Sequence, residues 1–130
     1  MSTLFTKIIK GEIPSYKVAE NDQFFAFLDI NQFAKGHTLV IPKQEGDYIF
    51  DLDEETFIAY QLYARKIAMA IEKAIPCKRI ATAVIGLEVP HTHIHLVPIQ
   101  QENDMNFAKN NKQVSPEEME HIAAAIRKEL

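Results

Sequence analysis

Three histidines alternate within five residues of this chain. Residues 91–95 read His-Thr-His-Ile-His, so His91, His93 and His95 are three of the five histidines in the sequence. The apolar residues on either side are typical of a β-strand, in which successive side chains point to opposite faces. The three imidazoles are therefore expected on one face, with neighbouring Cα atoms roughly 6.5–7 Å apart, while Thr92 and Ile94 face a core. Because imidazole changes its charge near neutral pH, this face is a candidate reaction site.

Two kinds of chemistry suit three imidazoles on one strand. Alternating histidines can offer two or three ligands to zinc, and the carboxylates of Glu88 and Asp29 could complete such a site. Alternatively, a neutral imidazole can attack an electrophilic phosphorus and form a covalent intermediate. A third interpretation, without chemistry, is three exposed histidines on an edge strand, but this is improbable by composition in a chain with only five. The motif by itself does not decide between metal and nucleophile.

Length and composition indicate one globular domain. The chain has 130 residues, of which 47% are hydrophobic and 25% charged, and these are ordinary values for such a domain. A formal charge of −4 gives no general reason to expect a nucleic-acid or membrane partner. No apolar run of about 18 residues and no signal-peptide pattern occurs, so we expect a cytoplasmic protein. The single Cys77 cannot form an intramolecular disulfide, in agreement with a reducing compartment.

Local patterns predict an α+β domain. Apolar alternation and turn signals indicate strands at 16–20, 24–29, 37–41 and 79–85, followed by the histidine strand up to about Pro98. An acidic start and an apolar stripe at helical spacing predict a long helix from about Glu54 to Ile75. Ser115 and Pro116 are typical of the first residues of a helix. A short helix is expected within 3–10, and the polar segment 100–113 is expected to be irregular.

The triad segment resembles the signature of the histidine triad (HIT) superfamily. Residues 91–97 fit the pattern His-φ-His-φ-His-φ-φ, with Thr92 as a mild departure at a usually apolar position. Further segments resemble other parts of the same family in the same order, at 5–15, 26–31, 36–43 and 51–53 ahead of the long helix. The resemblance covers roughly residues 3–99, so it is more specific than a single motif.

The resemblance implies chemistry at the α-phosphorus of a nucleotide, typically a purine phosphoramidate or a dinucleoside polyphosphate. His93 would then be the nucleophile that becomes transiently nucleotidylated, with His91 and His95 on either side of it. His37 would match a fourth histidine near the triad, and Asp29 would accept hydrogen bonds from the ribose hydroxyls. The nucleotide-binding residues implied in this way are Ile8, Phe27, Leu28, Asp29, Ile30, Glu88 and Val89, of which Ile8, Phe27 and Ile30 would enclose the base. This mechanism requires no metal and no other cofactor.

One departure from the family pattern concerns structural zinc. Many family members carry a Cys-x-x-Cys pair near the amino terminus and a histidine after the third strand, which bind zinc together with the first triad histidine. The corresponding positions here are Thr3, Thr6 and Glu45. Because His91 cannot hold zinc without these partners, we expect no structural zinc.

A second departure lies directly before the triad. Leu87 and Glu88 occupy positions where family members often have a glutamine and a small hydroxyl residue. We expect Glu88 at the mouth of the site, where an ionised carboxylate would repel phosphate and a protonated one could donate to the leaving group. We therefore hypothesise that Glu88 alters the choice of substrate.

The sequence thus predicts a HIT-like α+β domain over residues 1–130. It should contain about five mainly antiparallel strands, one long helix, a short amino-terminal helix and a carboxyl-terminal helix, with a core at 3–99, a loop at 100–114 and the last helix at 115–130. The resemblance also implies a homodimer with the long helix at or near the interface. The leading function is a nucleotidyl hydrolase or transferase acting on a purine nucleotide. The alternatives are a nucleotide-binding module with little turnover and a metal-dependent hydrolase that uses the three alternating histidines.

Overall fold

The computed structural model describes residues 3–107 and 112–130. Within these ranges the chain forms α1 (Leu4–Ile9), β1 (Lys17–Glu20), β2 (Phe24–Leu28), β3 (Thr38–Pro42), α2 (Glu54–Ala74), β4 (Arg79–Ala83), β5 (Ile94–Ile99) and α3 (Pro116–Lys128). Two short 3-10 helices, Ile49–Asp51 and Glu102–Met105, lie in connections. The second occupies part of the segment expected to be irregular, and residues 108–111 of that segment lie outside the described ranges. The predicted α+β fold is confirmed.

The five strands form one antiparallel sheet in the order β1-β2-β3-β5-β4. β1 and β2 form the predicted hairpin, and β5 lies between β3 and β4. His95 therefore has Leu39 of β3 on one side and Ala83 of β4 on the other. The three triad histidines are buried. The interpretation of exposed histidines on an edge strand is therefore wrong.

α2 and α3 cover one face of the sheet. The Asp53 carboxylate accepts a hydrogen bond from the Thr56 backbone N–H at 3.1 Å and caps the first turn of α2. The Tyr60 hydroxyl joins this helix to the sheet, because it donates to the Val40 carbonyl of β3 at 2.6 Å. The helix-side cluster includes Phe24, Leu28, Tyr60, Ile67, Ile71, Ile94, Met119, Ile122 and Ile126. None of the helices in the described part of the chain could span a bilayer.

The opposite face of the sheet carries a second apolar cluster beneath α1. Successive residues of β2 alternate between the two faces, so that Phe25 and Phe27 point away from α2. The cluster consists of Phe5, Ile8, Phe25, Phe27, Leu39 and Ile41. The His93 ring packs edge-on against Phe5, with ring centroids 5.1 Å apart, so the triad lies on this face.

The triad segment departs from a regular strand at its start. β5 begins at Ile94, so His91 and His93 precede the strand and only His95 lies in it. Thr92 donates its backbone N–H and its hydroxyl to the Gly46 carbonyl, at 2.7 and 3.1 Å. Loop contacts, and not sheet pairing, therefore hold the first part of the triad.

Candidate active site

A cavity of about 610 Å³ opens beside the triad on the α1 side of the sheet. Its volume falls within the range of small-molecule sites. His93 and His95 line it, whereas His37 and His91, both 0% exposed, lie behind its wall. The wall also contains the residues that the resemblance assigned to the nucleotide, namely Ile8, Phe27, Leu28, Asp29, Ile30, Glu88 and Val89.

These lining residues differ in what they offer a ligand. Ile8 and Phe27 are buried and form part of the apolar floor, whereas Ile30 is 75% exposed and stands at the mouth. The Leu28 side chain belongs to the helix-side cluster, so its main chain is what the cavity meets.

The tautomer of His93 follows from its hydrogen bond. Its Nδ1 lies 2.8 Å from the His91 backbone carbonyl, which can only accept. Nδ1 therefore carries the proton, and in the neutral ring Nε2 keeps its lone pair. A neutral imidazole in this form is a nucleophile whose reactive atom is held in one orientation.

A second chain of hydrogen bonds assigns the protons of His37 and His95. The backbone N–H of Phe33 donates to His37 Nδ1 at 3.1 Å, so the proton of neutral His37 is on Nε2. That atom lies 2.9 Å from His95 Nδ1 and donates to it. The proton of neutral His95 must then be on Nε2. Because His95 lines the cavity, it presents an N–H donor to the cavity beside His93.

Burial keeps this pair neutral. Loss of solvation lowers the pKa of His37 to about 3, and the neighbouring His95 lowers it further in the same direction. Loss of solvation, followed by the neighbouring His93, lowers the pKa of His95 to about 4. Both imidazoles are therefore uncharged at pH 7, as the hydrogen-bond chain requires.

The buried pair predicts a loss of stability in acid. In the unfolded chain these imidazoles take up protons below about pH 6.5, whereas folded His37 and His95 stay neutral to about pH 3 and 4. Because the unfolded state binds more protons in this window, the free energy of unfolding falls as the pH falls through it. Urea unfolding should show a loss of roughly 2 kcal/mol per histidine between pH 7 and pH 5. A double variant, His37→Asn with His95→Asn, should lose much less over the same interval. An equal loss of unfolding free energy in the wild type and the double variant would contradict the inference that His37 and His95 are neutral in the folded protein.

Asp29 stands beside this pair and lines the cavity. Its Oδ1 accepts the Asn31 backbone N–H at 2.8 Å, and its Oδ2 lies 3.6 Å from His37 Nε2. Burial raises the pKa of the Asp29 carboxyl group. Asp29 thus combines a partly buried carboxylate with access to the cavity.

The arrangement of nitrogens does not suit a catalytic metal. In the described residues, the group able to surround an ion is Asp29, His37 and His95, and it includes neither His91 nor His93. A metal on His37 Nε2 would have to displace the proton that His95 accepts. With the Phe33 N–H on Nδ1, His37 would then need to be an imidazolate. The interpretation of the three alternating histidines as metal ligands is not supported by this geometry.

Sequence reasoning missed Gln32, which organises the loop between β2 and β3. Its side chain is 0% exposed and its Nε2 donates to the carbonyls of Asp29 and His37 at 2.5 and 2.8 Å. Its Oε1 accepts the Gly36 N–H at 2.8 Å. Gln32 therefore fixes the loop that carries both Asp29 and His37. A glutamine in a polar loop gives no sequence signal of such a role.

Two aromatic residues beside His95 were also missed. The Phe107 ring meets the His95 ring edge-on, with centroids 5.1 Å apart, and Phe33 lies parallel to His95 at 6.2 Å. Phe33 and Phe107 contact each other at 4.8 Å, and both line the cavity. Together they shield His95 from water.

Comparison with known proteins identifies the family. Residues 10–102, which include the triad, His37 and Asp29, match the HIT domain model. The chain belongs to the HIT domain family. Over 132 residues it is 31% identical to the adenosine 5′-monophosphoramidase of Schizosaccharomyces pombe, covering 100% of this chain and 99% of that protein.

Solved structures of HIT proteins share the whole fold. A Hit-like protein involved in cell-cycle regulation from Bartonella henselae is similar with a TM-score of 0.86 at 35% identity, covering 99% of this chain and 96% of the other. A zinc-bound histidine triad family protein from Mycobacterium smegmatis gives a TM-score of 0.80 at 28% identity, with coverage of 99% and 93%.

The zinc positions implied by the resemblance do come together in this HIT protein, but their donor atoms do not suit zinc. Thr3 Oγ1 lies 2.8 Å from His91 Nδ1 and 3.1 Å from Thr6 Oγ1, and Thr6 Oγ1 donates to Glu45 at 2.5 Å. His91 Nε2 donates to the Pro42 carbonyl at 2.7 Å. Structural zinc sites use thiolate and free imidazole nitrogen, whereas here two hydroxyls replace thiolates and both nitrogens of His91 are hydrogen-bonded.

Proposed function

We propose that this HIT protein hydrolyses nucleoside 5′-phosphoramidates through a covalent nucleotidyl intermediate on His93. The observation that carries the proposal is the hydrogen bond from His93 Nδ1 to the His91 carbonyl, which leaves the lone pair on Nε2 of a cavity-lining residue. An imidazole with this tautomer is suited to attack at phosphorus. The name of the S. pombe relative, an adenosine 5′-monophosphoramidase, supports the same chemistry.

The proposed reaction has two displacements at one phosphorus. His93 Nε2 attacks the α-phosphorus, and the bond from phosphorus to nitrogen of the leaving amine breaks as the amine takes up a proton from solvent water. Water then attacks the same phosphorus and gives up a proton to solvent, the bond to His93 breaks and its electron pair returns to Nε2, and the nucleoside monophosphate leaves. The N–H on His95 Nε2 stabilises the charge that develops on the phosphoryl oxygens in both steps. Asp29 is the proposed partner of the ribose hydroxyls.

Charge in the cavity favours a substrate with a single phosphate. The described residues that line the cavity include no Lys or Arg. They do include two carboxylates, those of Asp29 and Glu88. A dinucleoside polyphosphate would bring several negative charges without meeting a side-chain cation. A phosphoramidate brings one phosphate and an uncharged or cationic leaving group. We therefore infer that phosphoramidates are preferred over polyphosphates.

A comparison of two substrates tests this proposal. With a chelator present, kcat/KM for an adenosine 5′-phosphoramidate should exceed that for a diadenosine polyphosphate by about 100-fold, since each unpaired charge costs on the order of 1 kcal/mol. Glu88→Lys should reduce the ratio of the two kcat/KM values by about tenfold, because it replaces repulsion of phosphate with attraction. Glu120→Lys, an equal change of charge at an exposed position of α3, should leave the ratio unchanged. Equal rates with both substrates, or activity that disappears with the chelator, would contradict the proposal.

A nucleotide-binding module with little turnover is the second candidate. Leu87 favours it, because this side chain is 88% exposed at the cavity wall and offers no hydrogen bond to a leaving group. In the experiment above, binding of AMP without turnover of either substrate would select this function.

We also propose that the protein is a homodimer and that it is cytoplasmic. On α2, Ile58, Leu62 and Met69 are about half exposed, so the helix presents apolar surface away from the sheet. This surface supports the proposed dimer, because large exposed apolar residues on one element are typical of protein interfaces.

A further inference from the structure

We propose that Thr3, Thr6 and Glu45 are positioning residues for His93, acting through His91. The inference rests on the proposed function, in which His93 is the nucleophile. It concerns residues outside the cavity: no atom of these three would touch a substrate.

The first step concerns the carbonyl that holds His93. The His91 carbonyl accepts the His93 Nδ1–H at 2.8 Å and so determines which nitrogen keeps the lone pair. His91 and His93 both precede β5, and the pairing of β3 with β5 reaches only Ile94. The direction of this carbonyl is therefore not set by the sheet. In the same peptide unit the Thr92 backbone N–H donates to the Gly46 carbonyl at 2.7 Å, and the residue is held a second time through the His91 ring.

The second step is the anchoring of the His91 ring. Its Nε2 lies 2.7 Å from the Pro42 carbonyl, an atom that can only accept, so Nε2 carries the proton. Its Nδ1 then accepts from the Thr3 hydroxyl at 2.8 Å. The ring is 0% exposed and is thus held at both nitrogens, between the end of β3 and the start of α1.

The third step is the orientation of the Thr3 hydroxyl. Its oxygen accepts the Thr6 backbone N–H at 3.0 Å and caps α1. The Thr6 hydroxyl donates to a Glu45 carboxylate oxygen at 2.5 Å, so its hydrogen points away from Thr3. The Thr3 hydrogen is then free to point at His91 Nδ1. Hydrogen bonding from Thr6 lowers the pKa of the Glu45 carboxyl group, which keeps this acceptor ionised.

Together these contacts join a surface carboxylate to the nucleophile. The path runs from Glu45 through Thr6, Thr3 and His91 to His93, along hydrogen bonds of 2.5 to 3.0 Å. In this chain, hydrogen bonds take the place that the resemblance gives to a zinc ion. Their consequence is a fixed His91 peptide and a single tautomer of His93.

The experiment compares Thr3→Val with Thr3→Ser in the full chain. Thr3→Val has nearly the same shape but can neither donate to His91 nor cap α1. From the lost bond to His91 we expect kcat for an adenosine 5′-phosphoramidate to fall about fivefold to tenfold, and Thr3→Ser keeps both the bond and the cap. KM should change less than twofold, because no substrate contact is lost. The ¹⁵N NMR shifts of the His93 ring should show a mixture of tautomers. Thr3→Ser should have the kcat and the single His93 tautomer of the wild type. Glu45→Ala, at an exposed position, should lower kcat and mix the tautomers as Thr3→Val does, but to a smaller extent.

A stability control separates positioning from general destabilisation. Ile126→Val removes one methylene from the helix-side cluster, so it should lower the melting temperature without changing kcat or the His93 tautomer. A Thr3→Val protein with wild-type kcat and one His93 tautomer would overturn the inference, even if His93→Ala is inactive. If His93→Ala were active, the proposed function would fail instead, while the NMR readout would still decide whether the network orients His93.

Discussion

Replacing His93 with alanine is expected to reduce kcat by about 10⁴-fold or more, the scale seen when a catalytic nucleophile is removed. The cavity keeps Asp29 and its apolar floor in this variant, so AMP should bind with an affinity within about threefold of the wild type. Turnover of an adenosine 5′-phosphoramidate in the presence of a chelator measures the first effect. Titration calorimetry with AMP measures the second.

The control for this variant is His121→Ala. His121 is exposed on α3, away from the sheet face that carries the triad, and its removal should leave kcat unchanged. Rapid quenching followed by intact-mass measurement should detect an AMP adduct on the wild-type chain and none on His93→Ala. If His93→Ala kept turnover within tenfold of the wild type, covalent catalysis by this residue would be excluded.

Gln32→Leu is expected to destabilise the protein by about 3 kcal/mol or more. The change is close to isosteric, but it leaves the Asp29 carbonyl and the Gly36 N–H without their buried partner, whereas the His37 carbonyl keeps the Asp29 backbone N–H. Each unsatisfied buried group costs about 1–3 kcal/mol, and relaxation of the loop recovers part of the total. Because the loop carries Asp29 and His37, kcat/KM should fall as well, by about 100-fold, the cost of misplacing such groups by about 1 Å. Urea unfolding and steady-state kinetics measure the two effects.

Gln23→Leu is the matched control for this change. Gln23 is exposed in the turn between β1 and β2, so the same substitution there should change stability by no more than about 0.5 kcal/mol. If Gln32→Leu unfolded at the same urea concentration as Gln23→Leu, the organising role of the Gln32 amide would be wrong.

Local patterns in the sequence determined most of the fold. The acidic start and apolar stripe of α2 and the Ser115-Pro116 start of α3 predicted both long helices, because spacing and capping act within a few residues. Turn residues and apolar alternation likewise located the strands. The start of β5 was missed, since His-Thr-His-Ile-His alternates like a strand while Thr92 is held by Gly46, 46 residues away.

Residue types and their spacing were thus enough to predict the α+β class, the HIT family resemblance and the histidines of the candidate site. Which ring nitrogens of these histidines carry protons could not be predicted in this way, because it depends on contacts between distant parts of the chain. His37 and His95 are 58 residues apart, and Thr3 and His91 are 88 apart, so their hydrogen bonds exist only where the sheet and loops bring them together. A tautomer is set by the partner atom on the other side of such a bond, and the distance to that atom is a property of the fold.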